Sequence, residues 1–101
     1  MKTIELNGAA LDWAVARCEG GVGENQLLGA WYAPSTNWAQ GGPIIEREKL
    51  DVFCSGTVWD ASTGDRHPNA IKSGPTPLIA AMRCYVASKL GDEVEIPKEL
   101  T

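Results

Sequence analysis

Two stretches of this chain place hydroxyls, amides and glycines just ahead of a helix start: Ser35-Thr36-Asn37…Gly41-Gly42-Pro43 and Ser73-Gly74-Pro75-Thr76-Pro77. A helix start offers unpaired N–H groups and about half a positive charge, which suits a phosphate or carboxylate. Glycine lets a ligand approach the backbone, and Ser, Thr and Asn add hydrogen-bonding groups. Trp38 lies within the first loop, where an aromatic face can stack on a base. Arg83, two turns into the helix after the second loop, can hold phosphate bidentately. The candidate ligand-binding set is therefore Ser35, Thr36, Asn37, Trp38, Gly41, Gly42, Thr76 and Arg83. It forms one site only if both loops open on the same side of the fold. Plain capping and turn chemistry uses the same residues, and neither loop ends in the Gly-Lys-Ser/Thr of a P-loop.

Catalytic chemistry is less well supported. Cys54, His67 and Asp60 supply a nucleophile, a base and an acid without motif context, and Ser35 has no strand-to-helix elbow around it. Asp12 and Glu46 would act as paired carboxylates only if the fold brought them together. His67 is the only histidine and has no cysteine near it, so no metal is expected. Arg47 offers the same bidentate chemistry as Arg83, or a surface ion pair. No catalytic residue and no cofactor is assigned.

The elements that must position these residues follow from capping and periodicity. Thr76 is an N-cap, Pro77 suits the first helical position, and Gly91 closes the segment with Lys89 favourably placed at its end. Between them Leu78, Ile79, Met82, Tyr85, Val86 and Leu90 recur at spacings of three and four, which predicts a dominant C-terminal helix with one broad apolar face. A first helix is expected from Gly8 to Glu19, capped by Asn7, and a short one from Pro43 to about Lys49. Lys2–Leu6 alternates and reads as a strand with Ile4 and Leu6 as its inward residues; Asp92–Pro97 and, more weakly, Leu27–Ala33 also read as strands. Asp51–Cys54 and Thr57–Ala61, separated by Ser55-Gly56, suit a hairpin or a bulged strand. Ala61 to Gly74 is polar and reads as an exposed excursion. The sum is an α+β fold, a small, mostly antiparallel sheet packed with the dominant C-terminal helix and two further helices.

At 101 residues the chain makes one domain. A net charge of −4 and the lack of any Lys/Arg run argue against general nucleic-acid binding. Glu5 interrupts the start before any apolar run, so no signal peptide is expected, and no segment is long enough to span a membrane. Three widely spaced cysteines, Cys18, Cys54 and Cys84, suit a reducing cytoplasm and read as buried small hydrophobes. Of the four tryptophans, Trp13, Trp31 and Trp59 are expected to pack the core, leaving Trp38 between core and ligand contact.

The string Tyr32-Ala33-Pro34-Ser35-Thr36-Asn37-Trp38-Ala39-Gln40-Gly41-Gly42-Pro43-Ile44-Ile45-Glu46 resembles the NinX-like proteins of lambdoid phages and prophages, a domain family of unknown function. So do Leu11-Asp12-Trp13-Ala14-Val15-Ala16, Gly74–Arg83 and Leu90–Pro97, and the resemblance runs from about Lys2 to Pro97. It implies a phage-encoded, non-virion accessory protein made in the bacterial cytoplasm, and brings no site residues with it. The residues favour a non-catalytic module for a small anionic, nucleotide-like ligand, and the phage setting suggests sequestration of a host defence signal as its use. The alternatives are a module that binds a host or phage protein and a small enzyme acting on a nucleotide or sugar. An exposed sheet edge would also permit a homo-oligomer.

Overall fold

The computed structural model describes residues 1–20, 32–63 and 71–100. Three helices, α1 (Gly8–Cys18), α2 (Trp38–Glu48) and α3 (Pro77–Leu90), accompany three strands, β1 (Asp51–Ser55), β2 (Val58–Ser62) and β3 (Lys72–Gly74). The strands form one antiparallel sheet in the order β1-β2-β3, and α3 packs against all of them. The architecture is α+β.

The predicted caps set the frame of α3. Thr76 Oγ1 accepts from Ile79 N at 3.1 Å, and Gly91 ends the helix at a φ of +85°, which an L side chain rarely adopts. The helix is not apolar on one face only. Leu78, Ala80, Ala81, Met82, Cys84, Tyr85 and Val86 are all buried, because the sheet covers one side and α1 and α2 the other. Alanines at 80 and 81 keep the helix thin enough to be enclosed.

Helix α2 begins five residues earlier than Gly41-Gly42-Pro43 suggests. Asn37 Oδ1 caps it by accepting from Ala39 N at 2.9 Å, and Gly41 packs tightly enough to hold the early turns against α3. Pro43 therefore sits inside the helix and removes one ladder donor without breaking it. Lys49, at a φ of +54°, closes the C-terminal end. Helix α1 runs as expected, but the Asn7 side chain makes no capping bond and only its carbonyl receives Leu11 N.

Neither terminal segment is a sheet strand. Thr3–Glu5 forms a 3₁₀ turn, and the two segments meet in a single antiparallel bridge between Lys2 and Glu93. Thr3 anchors this contact, with its N–H on the Asp92 carbonyl and its hydroxyl on that of Gly91. The turn buries Leu6 completely, in keeping with its expected inward placement, but leaves Ile4 54% exposed, against the same expectation. Tyr32 and Ala33 are not in a strand, and the rest of the predicted Leu27–Ala33 strand, Trp31 included, lies outside the described residues, as does His67.

The hairpin is present, shifted by one residue. Ser55 pairs with Val58 around Gly56-Thr57, with Gly56 at a φ of +67° in the first turn position, as a type II′ turn requires. Within the expected excursion, β2 continues to Ser62, and Lys72–Gly74 returns as β3. Gly74 makes that possible: a Cβ there would stand 2.8 Å from Ala80 N. Cys84 is buried and Cys18 half-buried, whereas Cys54 is exposed on β1. Burial pushes the Cys18 thiol up to about 11.

Candidate functional site

The start of α2 is built around a buried carboxylate. Asp12 on α1, only 8% exposed, accepts from Ser35 N at 2.9 Å and so pins the loop ahead of α2 to the first helix. Burial raises the Asp12 pKa, while the Ser35 N–H bonded to the carboxylate pulls it back. Ser35 Oγ is fully enclosed beside this carboxylate without completing a hydrogen bond. Gln40 reaches back to Ala33 N at 2.6 Å, and Thr36 and Asn37 donate their N–H groups to the Ala33 carbonyl. Trp38, the first helical residue, remains 56% exposed.

The two glycines of α2 differ sharply. A Cβ on Gly41 would lie 2.4 Å from the Pro34 carbonyl oxygen and 2.6 Å from Leu78 Cδ2; one on Gly42 would meet only Trp38, at 3.9 Å. Gly41 thus brings α2 against the first turn of α3, and buried Pro34 and Leu78 fill the space beside it. Ser35, Gly41 and the beginning of α3 are drawn together by packing.

Arg83 turns elsewhere. Its Nε donates to the Leu6 carbonyl at 2.7 Å and its Nη1 to the Ser73 carbonyl at 2.9 Å. No carboxylate lies within ion-pair distance of it among the described residues, and burial lowers its pKa. It lines a groove of about 490 Å³ with Ile4, Thr57, Val58, Ile71 and the run Lys72–Pro75. Ile4, Val58 and Ile71 are among the exposed large apolar residues of the described chain. The Lys72 ammonium lies 3.4 Å from Asp92. Of the predicted ligand-binding residues only Arg83 borders this groove; Thr76 follows it directly in sequence after Pro75. Sequence patterning does not reveal the apolar walls, because alternation along Lys2–Leu6 points Ile4 inward and Ile71 stands within a polar stretch.

Arg47 serves a structural purpose. It grips Glu19 with Nη1 and Nη2 at 2.9 and 2.6 Å, places Nε 2.8 Å from Glu48, and lies 5.8 Å from the centre of the Tyr85 ring. The Tyr85 hydroxyl donates to the same Glu19 carboxylate. The cluster ties the end of α1 to α2 and α3. Arg47 holds Glu19 below the usual carboxylate range, and burial pushes Tyr85 up.

Residues 2–89 match the family described as bacteriophage P22, NinX. The chain belongs to the phage P22 NinX family. The match takes in α1, the Asp12–Ser35 junction, α2, the sheet and α3 up to Lys89, and so nearly the whole described framework. No curated protein matches the chain. No helix of the described part of this NinX-family protein is long and apolar enough to cross a membrane, and no group of metal-ligating side chains occurs among those residues.

Proposed function

We propose that this NinX-family protein is a non-catalytic phage accessory module that binds a small anionic, nucleotide-like ligand in the groove beside Arg83. The observation that carries the reading is the placement of Arg83. A half-buried guanidinium, supported by two backbone carbonyls and lacking a carboxylate partner among the described residues, stands at the edge of an apolar groove. Carbonyl partners orient an arginine without neutralising it, so its remaining N–H groups favour an incoming anion. The volume falls within the range of small-molecule sites, and apolar walls with few polar groups suit a planar or apolar body attached to the anion. Sequestration of a host signal nucleotide is the use that this reading gives a phage protein.

The experiment is calorimetry and tryptophan emission with nucleoside mono- and diphosphates, against inorganic phosphate alone. Trp59 pairs with Gly74, which lines the groove, so occupancy should alter its emission. Arg83→Gln should weaken binding by about tenfold or more. Ile4→Glu, at an exposed position, should do the same through charge repulsion while leaving the fold intact. Absence of any response across the panel, or equal affinity in both variants, overturns the reading. A second reading, docking of a host protein, is favoured by the exposed Trp38. Capture of a bacterial protein that Trp38→Ala abolishes and nucleotide does not displace would select it.

A further inference from the structure

The open edge of the sheet is patterned to pair with itself. In a hairpin closed by a two-residue turn, the pair flanking the turn exchanges both backbone hydrogen bonds, and such pairs then alternate along the ladder. Ser55↔Val58, Phe53↔Asp60 and Asp51↔Ser62 are therefore the bonded pairs of β1 with β2. Val52 and Cys54 turn their N–H and C=O groups the other way, and no strand lies beyond β1 among the described residues. Between these outward groups stands Phe53, on the sheet face opposite Val52, Trp59 and Ala61, which pack toward the core. Phe53 remains 39% exposed.

An open edge invites another strand unless lysine, proline, a bulge or an inward charge discourages it. Strand β1, Asp-Val-Phe-Cys-Ser, has none of these along its length, and its one charge is at the end. We propose that β1 pairs antiparallel with β1 of a second copy about a two-fold axis at Phe53, making a continuous six-stranded sheet. This register alone uses the outward groups of both Val52 and Cys54, each Val52 exchanging hydrogen bonds with the Cys54 of the other copy. Phe53 then faces its twin in a non-hydrogen-bonded pair, where Cα atoms approach to about 4.5 Å and side chains meet closely. Asp51 falls opposite Ser55 of the other copy, so no like charges meet on the new ladder. Isologous closure makes the two β3 strands the outer edges of the sheet formed by the described residues.

Analytical ultracentrifugation over a concentration series should show reversible doubling of the 10.8 kDa mass. Phe53→Glu places like charges directly opposite and should weaken dimerisation by about tenfold or more, with an unchanged circular dichroism spectrum. Cys54→Pro removes an outward N–H that the β1–β2 ladder does not use and should act in the same direction. Register is tested in a Cys54→Ser background. Phe53→Cys should then oxidise to a covalent dimer, whereas Ser55→Cys, which would face Asp51 and not its twin, should not. A chain monomeric at every concentration overturns the proposal, as does a dimer indifferent to Phe53→Glu and Cys54→Pro, or cross-linking through residue 55 in preference to 53.

Discussion

Two adjacent glycines in one helix should respond in opposite directions to the same added methyl group. Replacing an interior helical glycine with alanine stabilises an unobstructed helix by about 0.8–1 kcal/mol, because the unfolded chain loses freedom and the helix gains propensity. At Gly42 the new Cβ would stand 3.9 Å from Trp38, an ordinary contact, so Gly42→Ala should capture that gain. In a domain of this size it corresponds to a rise in Tm of about 4–8 °C. At Gly41 the methyl would enter 2.4 Å from the Pro34 carbonyl oxygen and 2.6 Å from Leu78 Cδ2. Leu78 can turn away, but the Pro34 backbone is held by the neighbouring Ser35–Asp12 hydrogen bond. Overpacking of this kind costs about 1–3 kcal/mol and here exceeds the propensity gain. Gly41→Ala should therefore lower Tm by several degrees, with greater loss if α2 is pushed off α3. Differential scanning calorimetry of the two single variants suffices. If Gly41→Ala melts at or above the wild-type temperature, close approach of α2 to Pro34 and Leu78 is not what requires glycine there.

The Asp12–Ser35 junction gives a prediction whose sign depends on the replacement. Asp12→Ala leaves the buried Ser35 N–H without its acceptor and should destabilise by about 1–3 kcal/mol, whereas Asp12→Asn keeps an acceptor and offers Ser35 Oγ a donor. Because burial raises the folded pKa of Asp12 above its usual 3.8, its charge disfavours folding at neutral pH, and protonation relieves this as the pH falls. Asp12→Asn should thus match or exceed wild-type stability at pH 7, with its advantage shrinking toward pH 3 in denaturant titrations. The Glu19 clamp behaves in the opposite sense. Its folded pKa lies below the usual 4.5, so its contribution is full above that value and is lost as the pH falls below it. With Arg47 half exposed that contribution is about 1 kcal/mol or less, and Glu19→Gln should remove this part of the acid dependence in the same titrations.

Thr76, Pro77 and Gly91 announced α3 because each end of that helix is set by chemistry local to a few residues. The α+β class followed from the same kind of reading. What escaped was decided at long range. Gly-Gly-Pro reads as loop, yet Pro34 and Leu78, distant from each other in sequence, meet at Gly41 and carry the helix through it. Lys2–Leu6 alternates as a strand would, but Thr3 finds its partners at Gly91 and Asp92, nearly the whole chain away, and the backbone coils instead. Lys72–Gly74 became a strand because Gly74 alone lets the backbone lie against Ala80. Of the candidate site, Arg83 was legible as a cation with bidentate reach. Its surroundings were not, since Ile4, Val58 and Ile71 converge only once the chain has folded.

Enclosure of α3 on nearly every side also bears on how the domain comes apart. The hairpin rests on one flank of this helix and the remaining helices on the other, so neither half retains a partner if the helix leaves. Such an arrangement favours all-or-none melting over gradual peeling. Slowest amide exchange should therefore centre on Ala81–Val86, with protection falling away in both directions toward the sheet and toward α1 and α2.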